Sequence, residues 1–254
     1  MKGTEMKKIG DGDHHVLCLH GWFGSADGWG FWPDVADTSS YTWWFPDMRG
    51  YGARRGETGE FTMKEYAADA LAAADEAGLS RFSLVGHSMG GKAVASLLAQ
   101  AGADRVRALV GLTPVAPAPV PLDADGEGLF FGAPASDDNR RAILDFTTGN
   151  RNSGVWLDRM VAFSRENSDE AAFDGAVKSW VGDDYLADVG RPDTPIAVIV
   201  GEHDPALSAE VMRQSWMQIY PNVELIEVPN AGHYPMFETP VQLATLIEGF
   251  LGQH

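Results

Sequence analysis

The sequence predicts an α/β protein: a doubly wound, mostly parallel sheet flanked by helices, with a helical insertion in the middle of the chain. Short uninterrupted apolar runs recur along it, as in strands buried on both faces. Stretches with helical spacing and recognisable start and stop signals stand between them, and such alternation builds a parallel sheet. The alternation halts at Pro114, Pro117, Pro119 and Pro121 and resumes at Pro195. Residues 1–113 and 190–254 are therefore expected to form the core, and residues 114–189 the insertion.

Val16-Leu17-Cys18-Leu19 is the first buried run and ends at His20-Gly21-Trp22-Phe23-Gly24; Tyr41 to Phe45 is the second and ends at Pro46-Asp47. A helix follows, opened by the capping box Thr62-x-x-Glu65, with Met63, Tyr66, Ala67, Ala70, Leu71 and Ala74 on one face and Gly78 as its stop. Phe82 to Val85 is a strand that turns at Gly86-His87-Ser88-Met89-Gly90 into a helix ending near Ala101. A chain reversing that sharply leaves no room for side chains two residues either side of the turning residue, which is pushed into a strained, exposed position. Arg107 to Leu112 is the next strand, and polar turns and amphipathic helices fill the insertion.

Pro195 to Val200 is a strand ending at Gly201-Glu202-His203-Asp204, followed by one helix from about Ala209 to Ile219. The strand Val223 to Val228 leads to Ala231-Gly232-His233. The last helix is expected to start with Thr239 as N-cap, Pro240 at the first helical position and Gln242 closing a capping box. Leu243, Leu246, Ile247, Phe250 and Leu251 form its buried face.

At 254 residues the chain can bury a large single core. Its 19 Lys and Arg against 36 Asp and Glu, a net charge of -17, argue against nucleic acid and anionic membrane surfaces as partners, because phosphate binding needs basic patches. No apolar window is long enough to span a membrane, and the segment before Val16 lacks the apolar stretch of a signal peptide. The single cysteine, Cys18, sits in a buried strand and has no internal partner, which points to a reducing, cytoplasmic setting. No Cys/His spacing suits zinc. Gly28-Trp29-Gly30 and Gly50-Tyr51-Gly52 lack the rest of a dinucleotide fingerprint. Neither metal nor cofactor is expected, and the partner is a small-molecule substrate.

Ser88, Asp204 and His233 each follow a different strand, at the carboxyl ends where doubly wound sheets bind ligands. With them stand five signatures: His20 to Gly24 (H-G-x-x-G), Asp47 to Gly52 (D-x-R-G-x-G), Gly86 to Gly91 (G-H-S-M-G-G), Gly201 to Pro205 (G-E-H-D-P) and Ala231 to His233 (A-G-H). On these the chain resembles the α/β-hydrolase fold superfamily from Val16 to Leu251, and among its members the small carboxylesterases. In that fold a pair of antiparallel strands often opens the sheet; the stretch before Val16 is short for it, so one of the pair is expected to be missing or very short.

The resemblance implies a serine hydrolase. Ser88 is the nucleophile, His233 its general base, and Asp204 the carboxylate that holds the imidazole. His87 and His203 are weaker candidates for the base, because neighbours of the nucleophile and acid point away. His14, His15 and His254 are expected on the surface. The strand before the insertion ends in Thr113-Pro114, with no carboxylate to serve as an alternative acid. The amide of Met89 and, by resemblance, that of Trp22, with Phe23 as the alternative, form the oxyanion hole. His20 and the Asp47 to Gly52 loop are scaffold.

The side chains of Trp22 and Phe23 either floor the acyl pocket or simply pack. Phe130, Phe131, Phe146, Trp156, Phe163, Phe173, Trp180 and Tyr185 either roof the substrate or form the insertion's own core; Phe23, Phe130, Phe131, Trp156 and Trp180 are taken as substrate-binding. The expected reaction is cleavage of a small to medium apolar carboxylic ester through an acyl-enzyme. Carbon–carbon bond hydrolysis, cofactor-free perhydrolysis or lyase chemistry on the same triad is the alternative, and a ligand-binding receptor a third.

Overall fold

The computed structural model describes residues 6–254. Met1 and Lys2, which belong to the segment read above as lacking a signal peptide, lie outside the described residues. The strands are β1 (Lys7–Ile9), β2 (His14–Leu19), β3 (Tyr41–Phe45), β4 (Phe82–His87), β5 (Val106–Leu112), β6 (Ile196–Gly201) and β7 (Val223–Val228). They form one sheet in the order β1-β3-β2-β4-β5-β6-β7, antiparallel only at β1. β1, three residues long, is the short antiparallel opening strand. Strand order reverses between β2 and β4, so the crevice of this doubly wound sheet opens beyond the ends of β2, β4 and β5. β4 and β6 are buried at every position, whereas β7, at the edge, turns Glu224 and Glu227 to solvent.

Helices α1 (Met63–Glu76) and α2 (Met89–Ala101) flank the first half of the sheet. Five more, α3 (Ala124–Gly132), α4 (Asp137–Thr147), α5 (Gly154–Glu166), α6 (Glu170–Gly182) and α7 (Leu186–Val189), fill the chain between β5 and β6. The last four are α8 (Ala209–Gln214), α9 (Trp216–Ile219), α10 (Pro235–Glu238) and α11 (Pro240–Leu251). Lys92 on α2, wholly buried, ties the insertion down: its ammonium donates to the carbonyls of Ala118, Trp180 and Asp183.

Local signals were honoured where no neighbour competed for the same backbone. The Thr62 hydroxyl accepts from the Glu65 amide at 3.1 Å, but Glu65 reaches back to the amide of Phe61 (2.8 Å), one residue earlier than a capping box requires, because Phe61 adopts φ +56°. The helix expected over Ala209 to Ile219 is broken at Ser215 (φ -123°, ψ -88°), whose hydroxyl donates back to the Val211 carbonyl at 2.7 Å. The expected cap at Thr239 does not form. α10 runs straight into α11, and the Thr239 amide closes α10 by donating to Pro235 (2.9 Å), which leaves its hydroxyl buried without a partner. His14 also departs from its surface reading: it is half-buried, and its Nε2 lies 2.8 Å from the Ser83 hydroxyl.

Candidate active site

Ser88 lies between β4 and α2 at φ 55°, ψ -118°, in the left-handed region that a side chain occupies only under constraint. The constraint is steric. A Cβ on Gly86 would stand 2.4 Å from the Gly90 carbonyl oxygen, and one on Gly90 would stand 2.3 Å from that of Leu19. Only glycine lets strand, turn and helix approach so closely. The Ser88 amide donates to Leu112 (3.0 Å), while its carbonyl accepts from Gly91 (2.8 Å) and Val115 (2.9 Å). Met89 starts α2, so its amide is one of the helix's free N-terminal donors.

Asp204, 1% exposed, follows β6. Its Oδ1 accepts from the amides of Ala206 (2.9 Å) and Leu207 (3.0 Å), which leaves Oδ2 for His233 Nδ1 at 2.6 Å. The carboxylate only accepts, so Nδ1 carries the proton and Nε2 presents a lone pair. Ser88 and His233 line the same cavity.

The other histidines are otherwise engaged. His87 donates from Nε2 to the His233 carbonyl at 2.9 Å, and burial pushes its pKa well down. His20 accepts the Met48 amide at Nε2 (3.2 Å), which assigns its proton to Nδ1, 2.9 Å from the Gly21 carbonyl; burial lowers its pKa too. His203 is half-buried beside Glu202, 3.6 Å away. Asp47 staples its loop, accepting from Ala26 (2.7 Å) and Ala53 (2.9 Å).

The cavity holds about 250 Å³. Trp22 and Phe23 line it and also pack: the Trp22 indole stacks on Phe173 at 4.1 Å and donates to the Phe173 carbonyl at 2.9 Å. Phe173 in turn lies under the guanidinium of buried Arg140 at 3.7 Å, so it belongs to the insertion's core. Phe130, Phe146 and Trp180 line the cavity. Two expected contacts are corrected. Phe131 is 40% exposed and faces away from the cavity, because α3 can turn only one of two successive phenylalanines inward. Trp156 packs edge-on against Tyr234 (5.5 Å) and Phe237 (5.9 Å), outside the lining.

Sequence reasoning missed Val120, Pro121 and Leu122, at the prolines where the alternation of strand and helix halts, and Leu207 and Tyr234, which follow Asp204 and His233 closely in the chain. The available signal was their proximity in sequence to residues already singled out. Among the described residues, ionisable groups in the lining are confined to His233 and Tyr234, with no Lys, Arg, Asp or Glu. Among the described residues, no cluster of His, Cys, Asp and Glu could hold a metal ion, and no helix is long and apolar enough to cross a membrane.

Comparison with known proteins agrees with this architecture. A non-heme haloperoxidase of Rhodococcus erythropolis is 29% identical over 254 residues, covering 91% of this chain and 90% of that protein. A non-heme chloroperoxidase of Burkholderia pyrrocinia is 28% identical over 81% of this chain and 83% of its own length. Among solved structures, a hydrolase from Oleispira antarctica superposes with a TM-score of 0.86 at 18% identity, covering 100% of this chain and 96% of that one. An esterase from Exiguobacterium antarcticum gives 0.84 at 15% identity, over 97% and 94% of the two chains. The family model described as the alpha/beta hydrolase family matches residues 16–246, and the chain belongs to that family.

Proposed function

We propose that the protein is a serine hydrolase that cleaves an uncharged carboxylic ester of small to medium, largely apolar character. The observation that carries the reading is the 2.6 Å Asp204–His233 pair, whose imidazole lines one apolar cavity together with Ser88. His233 Nε2 takes the proton from Ser88 Oγ as that oxygen bonds to the ester carbonyl carbon. The resulting oxyanion is met by the amides of Met89 and Trp22, each worth about 10² to 10³ in rate. His233 then gives its proton to the alcohol oxygen as the carbon–oxygen bond breaks, and water repeats the sequence on the acyl-enzyme. With no Lys or Arg among the described residues of the lining, a substrate carboxylate would be desolvated without a partner, which favours a neutral ester.

A second reading is favoured by the haloperoxidase names of the relatives. Hydrogen peroxide in place of water would attack the acyl-enzyme, releasing a peracid and regenerating the Ser88 hydroxyl. Hydrolysis of p-nitrophenyl acetate and butyrate by the wild type and by Ser88→Ala tests the first reading: equal, negligible rates in both would end it. Ethyl acetate with hydrogen peroxide, assayed for peracetic acid, tests the second: release of acetate with no peracid above the Ser88→Ala background would end it.

A further inference from the structure

The loop carrying His233 is held by a carboxylate that the reaction itself does not use. Three successive amides there point at side-chain or insertion acceptors. Gly232 donates to Glu238 Oε2 at 3.0 Å, His233 to the Thr147 carbonyl at 3.1 Å, and Tyr234 to Glu238 Oε1 at 3.1 Å. Both oxygens of one carboxylate, 6% exposed, thus grip the backbone on either side of His233. On the far side, the His233 carbonyl accepts from His87 and from the Thr113 hydroxyl (3.3 Å).

The grip extends to the insertion. Arg151, two residues beyond the glycine that ends the α4 turn, pairs with Glu238 Oε2 at 3.2 Å and donates to the Asn230 carbonyl at 3.1 Å. Thr147, which accepts the His233 amide, is the last residue of α4 and lines the cavity. The insertion and the histidine loop are therefore joined by three bonds: Thr147 with the His233 amide, Arg151 with the Asn230 carbonyl, and Arg151 with Glu238.

We propose that Glu238 is the positioning residue for His233, and that its pairing with Arg151, beside the separate bond from the His233 amide to Thr147, couples that seat to the docking of the insertion over the cavity. The inference rests on the hydrolase reading for its kinetic consequences. An imidazole moved by about 1 Å from its productive place loses on the order of a hundredfold in rate. Glutamate suits the task because both its oxygens accept; glutamine of the same shape would set an NH₂ group against one of the two amides.

The test is E238Q, with R151M as a second variant that leaves both carboxylate–amide bonds in place. Two readouts are used: steady-state kinetics on p-nitrophenyl acetate, and the low-field proton resonance of His233 Nδ1, assigned by its loss in His233→Gln. For E238Q, kcat is expected to fall about tenfold to a hundredfold with KM within about twofold, and the resonance to shift or broaden. For R151M the same changes are expected at a few-fold scale. A wild-type resonance together with wild-type kcat in E238Q overturns the proposal; the same result confined to R151M overturns the link to the insertion. Should the wild type hydrolyse no ester, the resonance alone decides, because it reports the Asp204–His233 pair whatever the reaction. If E238Q does not fold, Glu238→Asp, whose shorter stem cannot reach both amides at once, is read in the same two ways, and a wild-type resonance together with wild-type kcat overturns the proposal.

Discussion

Lys92, four residues beyond Ser88 on α2, donates to the carbonyl of Trp180 on α6 at 3.1 Å, so the helix that follows Ser88 and the insertion share a buried hydrogen bond. Two further carbonyls, those of Ala118 and Asp183, complete its shell, and the Tyr185 ring lies 5.4 Å from the ammonium. Lys92→Met keeps the stem but leaves three acceptors unpaired, at about 1–3 kcal/mol for each that water cannot reach. Melting of Lys92→Met, followed by circular dichroism, is expected to fall by on the order of 5–10 °C. An unchanged midpoint would mean that the ammonium is not holding the insertion.

Asp204→Asn preserves the bonds from Ala206 and Leu207 to Oδ1 but can set an NH₂ donor against His233 Nδ1, so the histidine takes the wrong tautomer. Ester-hydrolysis kcat is expected to fall by about 10³ to 10⁴ with little change in melting temperature. Retention of more than a tenth of the activity would assign the acid to another residue.

Gly90→Ala places a methyl group 2.3 Å from the Leu19 carbonyl oxygen and 2.7 Å from that of His20, both backbone atoms that cannot step aside. The helix must back away from β2, carrying Met89 and Ser88 with it. Labelling of Ser88 by a fluorophosphonate is expected to slow by at least about tenfold, with a melting point lower by roughly 5 °C. Normal labelling would show that the elbow tolerates a Cβ there.

Stability is expected to fall as pH drops from about 6.5 to about 4. Burial, with the nearby charge of Arg107 adding to it, pushes the pKa of His14 down to about 4, and burial lowers those of His20 and His87. Each folded pKa lies below the unfolded value, so the unfolded chain takes up protons first as pH falls. The stabilisation is complete above about pH 6.5 and is lost through that window. His14→Gln, which can still bond Ser83, should flatten the dependence of melting temperature on pH between 6.5 and 4. An equally steep curve would remove His14 from the account.

Trp180 lines the cavity against Phe130 (5.4 Å) and Trp22 (5.7 Å), and its indole N–H is buried without a partner. Trp180→Leu therefore opens space without breaking a hydrogen bond. The ratio of kcat/KM for p-nitrophenyl octanoate to that for acetate is expected to rise about tenfold. An unchanged ratio would place the acyl chain elsewhere.

Much of this protein was legible in its sequence because the relevant physics is local. Apolar runs marked the buried strands, and the elbow at Ser88 follows from steric demands that Gly86 and Gly90 meet within five residues. Asp204 and His233 were legible as residues just past strand ends. Their meeting at 2.6 Å, across 29 positions, required the pairing of β6 with β7. Which way the insertion's helices turn was not legible. α3 buries no residue fully, so its own pattern does not separate inward Phe130 from outward Phe131; packing on Trp22 and Trp180 makes that choice. Thr239 carried a cap signal that the turn of α10 overrode, while Glu238 beside it carried none, yet binds two amides around His233. Backbone sterics and side-chain period act over a few residues and can be read in order. The orientation of a helix face, and the partner of a buried carboxylate, depend on distant segments that only the tertiary structure brings together.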